Sequence, residues 1–70
     1  MAKIKIIWND NTTSYVSEKG NATRFFDCAK EYRTILTAER SARIYFYNNA
    51  SIKEVRIIDE ENNKEYHLIY

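Results

Sequence analysis

Proline is absent from this 70-residue chain, while glycine and cysteine occur once each, at Gly20 and Cys28. A lone cysteine closes no intramolecular disulfide and cannot build a multi-cysteine metal site, so a reducing compartment is expected. A single glycine leaves no glycine-rich loop to cradle phosphate. No stretch approaches the roughly 18 unbroken apolar residues of a membrane-spanning helix. The opening MAKIKIIWND interleaves lysine with isoleucine and lacks the apolar core and cleavage site of a secretory signal. The expectation is a cytoplasmic chain of a bacterial host, without membrane association, whose acceptor patterns at Asn11, Asn21 and Asn49 go unglycosylated. A dominant charge sign is missing too. Eleven Lys and Arg against ten Asp and Glu leave a net charge of +1, far from the basic footprint of a general nucleic-acid binder.

What is present suits one small domain spanning 1–70. Hydrophobic residues make up 44%, including one Trp, six Tyr and three Phe, enough for a core and, at so small a net charge, too much for a disordered chain. At this length only about 60% of the unfolded chain's surface can be buried, which leaves no room for a second domain or a cofactor cradle. Ile, Asn, Lys, Tyr and Phe together supply 31 of the 70 residues, a bias toward A/T-rich codons that suggests a low-GC bacterium or its phage. Charge is unevenly spread, with a balance of +4 over residues 1–58 and −3 over 59–70.

Periodicity organises the rest. KIKIIW, Lys3 to Trp8, alternates as an amphipathic strand. The turn-forming Asn9-Asp10-Asn11 then leads into a returning strand over Thr12 to Ser17. From Ala22 to about Arg40, Ala22, Phe25, Phe26, Ala29, Tyr32, Ile35 and Leu36 recur at helical spacing, predicting one helix. ARIYFY (42–47), KEVRII (53–58) and KEYHLIY (64–70) read as three further strands separated by Asn- and Asp-rich turns. The expected fold is α+β: an antiparallel sheet of about five strands in β-β-α-β-β-β order, with one helix packed on one face.

Few residues carry chemistry. Cys28 and His67 are the sole thiol and imidazole, expected on opposite sides of the sheet with Cys28 beside the core, so no nucleophilic pair forms. The acidic run Asp59-Glu60-Glu61 reads as a solvated turn; a calcium loop would need glycine where Lys64 stands. Asp27 and Glu31 sit among cations on the outward side of the expected helix, not paired in a cleft. No catalysis, metal or cofactor is expected.

The faces of the sheet are more informative. If Ile4, Ile6, Trp8, Ala42, Ile44, Phe46, Val55, Ile57, Tyr66 and Leu68 face the helix, the open face receives Lys5, Ile7, Arg43, Tyr45, Tyr47, Arg56, Ile58, His67 and Ile69. A face that met only water would read mostly polar. Tyrosine and arginine are instead the types enriched where proteins meet other molecules, although they also stabilise sheets through cross-strand pairing. Lys5, Arg43, Tyr45, Tyr47, Arg56 and Ile58 are therefore the candidate contact residues, for a protein partner or for self-association. The alternative is a nucleic-acid regulator in which Tyr45 and Tyr47 stack bases while the cations meet phosphates, and a third reading is a structural homo-oligomeric subunit. In size, A/T-rich composition and expected one-helix sheet the chain resembles the small accessory proteins of phages and mobile elements. That class includes inhibitors of host defence such as anti-CRISPR proteins, and the likeness implies stoichiometric binding without catalysis.

Overall fold

A computed structural model describes residues 1–68. Five antiparallel strands form one sheet in the spatial order β3-β2-β1-β4-β5: β1 (Ala2–Trp8), β2 (Thr13–Val16), β3 (Ala22–Thr23), β4 (Ile52–Asp59) and β5 (Lys64–His67). One helix, α1 (Ile35–Tyr47), packs chiefly over β4 and then over β1. The expected class, one helix on one face of a five-stranded antiparallel sheet, is the one observed.

The first hairpin closes where the sequence placed it. Asp10 Oδ1 accepts from the Thr12 amide at 3.0 Å and its hydroxyl at 2.6 Å. Asn11 takes a left-handed φ of 70°, a conformation asparagine tolerates. The last hairpin is built alike. The buried Asp59 carboxylate accepts from the Glu61 and Asn62 amides and, at 2.8 Å, from the Asn62 side chain. Those bonds, the Asn62 side chain first, hold Asp59 below its ordinary value.

Two elements are exchanged relative to the sequence reading. Residues 22–34 are not helical. They comprise the two-residue β3, a 3₁₀ turn at Phe26–Cys28 and extended chain bridging Ala29 to Ser17 and Tyr32 to Ala2. Their aromatic groups are needed on both sides of the sheet. Phe26 packs edge-on against Tyr15, with ring centroids 5.4 Å apart, whereas Tyr32 is buried in the core under α1. A single helical stripe cannot reach both.

Conversely 42–47, expected as a strand, is the second half of α1. The helix starts at Thr34, whose hydroxyl accepts from the Thr37 amide at 3.1 Å. Ala38 and Ala42 are fully buried, and Ile35, Tyr45 and Phe46 flank them against the core. That is a 3.6-residue pattern, and the helix–sheet contact it makes overrides the strand preference of Ile, Tyr and Phe. Three strands therefore precede the helix and two follow it.

Under α1, Ile4 pairs with Ile57 and Ile6 with Val55, all four at most 1% exposed. Tyr66 lies opposite Ile57, and Leu68 completes the core. The inward strand residues were thus read correctly. The expected fifth strand ran to Tyr70; residues 69 and 70, including Ile69, lie outside the described residues.

Candidate functional site

The register puts Lys5 opposite Arg56, Arg56 opposite His67, Ile7 opposite Glu54, and Ile58 between Lys3 and Glu65. These residues share the face turned away from α1, so Lys5, Arg56 and Ile58 stand where the sequence placed them. Arg43, Tyr45 and Tyr47 do not. They belong to α1, and the sheet separates them from the first three. The six candidates form no single surface. The alternation that grouped them mistook one side of a helix for one face of a strand.

On the open face the cations are engaged by two glutamates that the sequence reading passed over. Arg56 Nε bonds Glu54, and its terminal nitrogen lies 3.7 Å from Glu65 Oε1. The same carboxylate is 3.4 Å from Lys5 Nζ, while His67 Nδ1 is 3.3 Å from Glu54 Oε1. The Arg56 hydrogen bond is the main cause holding the Glu54 carboxyl below its usual range. Glutamate two residues before a basic side chain on one strand face, Glu54 before Arg56 and Glu65 before His67, was the signal available in the sequence, and it pairs diagonally across the strands.

The other end of this face is covered. Lys3 is 5% exposed, which would be costly for an uncompensated ammonium. Its Nζ donates to the Phe26 carbonyl at 3.2 Å, lies 3.9 Å from the centre of the Phe26 ring and 3.8 Å from Glu60 Oε2. Cys28, in the same 3₁₀ turn, is exposed rather than set beside the core.

On α1, Arg43 bonds Glu39 at 2.8 Å one turn away. Tyr45 is half-buried beside a groove of about 480 Å³ lined by Val16, Tyr32, Ser41 and Asn48, and burial pushes its phenol up. Tyr47 is 70% exposed. Its neighbours on the outward side are Leu36, Arg40 and Ile44, which recur at four- and three-residue steps opposite Ala38 and Ala42. Leu36 is 59% and Ile44 64% exposed. Ile44, expected to face inward, is thus on the outside. The missed signal was a second apolar stripe in 35–47, visible only once that segment is read at helical period.

Among the described residues no group of three or more His, Cys, Asp or Glu is arranged to hold a metal ion, and no helix is long and apolar enough to cross a membrane. Compared with protein-family models, curated proteins and solved structures, the chain finds no match in any of the three.

Proposed function

We propose that this chain is a non-enzymatic binding domain that engages a partner protein through the outward face of α1. The observation that carries this reading is the exposure of three large apolar side chains, Leu36, Ile44 and Tyr47, around Arg40 on one side of one helix. The opposite side of that helix already supplies the core, so Leu36 and Ile44 spend their surface outside it, while the exposed Tyr47 ring packs edge-on against Phe46. Aliphatic and aromatic anchors at such spacing suit insertion of a helix into an apolar groove of another protein, with arginine as a directed polar contact. Stoichiometric inhibition by a small phage or mobile-element accessory protein, such as an inhibitor of host defence, is the biological setting proposed. The nucleic-acid alternative drew its support from a tyrosine and cation platform. Lys5 and Arg56 are instead paired with carboxylates, and Tyr45 is on the far side of the sheet.

The test is parallel affinity capture from a low-GC bacterial lysate with wild type, Leu36→Glu/Ile44→Glu and Lys5→Ala/Arg56→Ala, half of each sample nuclease-treated. The expected result is a protein retained after nuclease, lost with the helix variant and kept with the sheet variant, all three chains showing folded circular dichroism. Loss with the sheet variant alone, or loss on nuclease treatment, overturns the reading.

A further inference from the structure

β5 closes one edge of the sheet, and its outer rim meets no strand among the described residues. The Leu68 amide donates to the Val55 carbonyl at 3.2 Å, and the register then pairs Tyr66 with Ile57 and Lys64 with Asp59. Hydrogen-bonded pairs alternate along an antiparallel ladder, so the backbone groups of Lys64, Tyr66 and Leu68 turn toward β4 while those of Glu65 and His67 point outward. The opposite edge, β3, has two residues and offers little template. Natural sheets blunt free edges with charge, proline or bulges. Here Glu65 and His67, exposed and already in contact with Lys5, Arg56 and Glu54 on their own sheet, are ordered so that the edge also complements itself.

We infer that a second copy of this chain adds to β5 in antiparallel fashion about a two-fold axis through Tyr66. In that register Glu65 and His67 of one copy exchange backbone hydrogen bonds with His67 and Glu65 of the other. On the open face a carboxylate then stands opposite an imidazole on both sides of the axis. Slipping the register to the neighbouring bonded positions puts Glu65 against Glu65 or His67 against His67, which removes the complementarity. On the face beneath α1, Tyr66 is 41% exposed and meets its own copy at a non-hydrogen-bonded position, where cross-strand side chains approach most closely. A cleft of about 290 Å³ between α1 and β5, lined by Ile35, Glu39, Arg43 and Leu68, lies on that side and receives the added aromatic surface. The axis is perpendicular to the sheet, so both helices lie on one side with their outward faces free. The inference is independent of the proposed binding role of α1.

The test is sedimentation of the full chain from about 1 to 300 µM, bracketing the affinities of modest interfaces, with amide hydrogen exchange at both ends of the range. The mass is expected to double across the range. The Glu65 and His67 amides are expected to gain protection only at high concentration, while the Tyr66 amide is protected throughout. Glu65→Pro removes an outward donor without touching the ladder to β4, so it stays folded and monomeric; should it fail to fold, wild-type exchange still decides. A monomer at every concentration, or a dimer whose Glu65 and His67 amides exchange as in the monomer, overturns the inference.

Discussion

Beneath α1 the sheet presents Ile4, Ile6, Val55 and Ile57, packed with Ala38 and Ala42 in one buried cluster. On its other face the same strands present Lys5, Glu54, Arg56, Glu65 and His67, tied to one another by charge, with Lys3 held under Phe26 at one end. The first face is closed by burial that a helix completes, the second by pairing that the strands complete among themselves. The difference bears on how a binding surface is recognised. Arginine and lysine on a sheet give less support for a contact surface when carboxylates on neighbouring strands already engage them. Leu36 and Ile44 on the outside of a helix instead expose large aliphatic surface away from the core, and they define the candidate site there.

The sharpest way to break this comparison is to truncate adjacent residues of β4 that point to opposite faces. Ile57→Ala is expected to cost about 2–5 kcal/mol through lost burial and a residual cavity, enough to unfold much of so small a domain. Ile58→Ala, one residue along on the open face, is expected to cost about 1 kcal/mol or less. Urea unfolding followed by circular dichroism reads both, and equal losses would mean that the open face is as tightly packed as the core.

Next in size is the covered end. Phe26→Ala strips the ring from Lys3 and Tyr15, with an expected loss of about 1–2 kcal/mol. Lys3→Met in the same background should recover part of it, because the ammonium, left with only the residue-26 carbonyl and Glu60, is then replaced by an apolar group, and urea unfolding reads the recovery.

Smaller still is Glu54→Gln, which frees Arg56 and His67 from a shared carboxylate. Its thermal destabilisation should shrink as salt is raised toward about 1 M, whereas that of Ile57→Ala should not. Acid gives the smallest effect. A carboxylate held below its ordinary value contributes stability that is present above that value and is lost as pH falls through the folded one. The melting difference between wild type and Asp59→Asn should therefore be greatest above about pH 4 and close at lower pH. A gap constant with pH would remove the charge-based account of the turn.

Much of the fold was legible because a half-buried strand writes its orientation into every second residue. Ile4, Ile6, Val55, Ile57, Tyr66 and Leu68 announced their side, as did both hairpin turns through Asp10, Asn11 and Asp59. The stretch 22–47 was not legible. Its first half has apolar residues at helical spacing yet is drawn out along the end of the sheet, with Phe26 on one face and Tyr32 on the other. Its second half alternates like a strand, yet carries Ile35, Ala38, Ala42 and Tyr45 at the spacing of a helix. Only three of the six expected contact residues, Lys5, Arg56 and Ile58, kept their place, because the other three depended on reading 42–47 as a strand.

From the residues alone came the class of the fold, the inward faces of β1 and β4, and the absence of a glycine-rich phosphate cradle or a disulfide. These follow from local periodicity and composition, which a chain cannot hide. The ends of α1, the pairing of Lys5 and Arg56 with carboxylates, and the outward display of Leu36, Ile44 and Tyr47 were decided by tertiary packing. A short apolar segment fits either period until the sheet offers a surface for Ala38 and Ala42 to bury, and that long-range contact, not local preference, chooses between them.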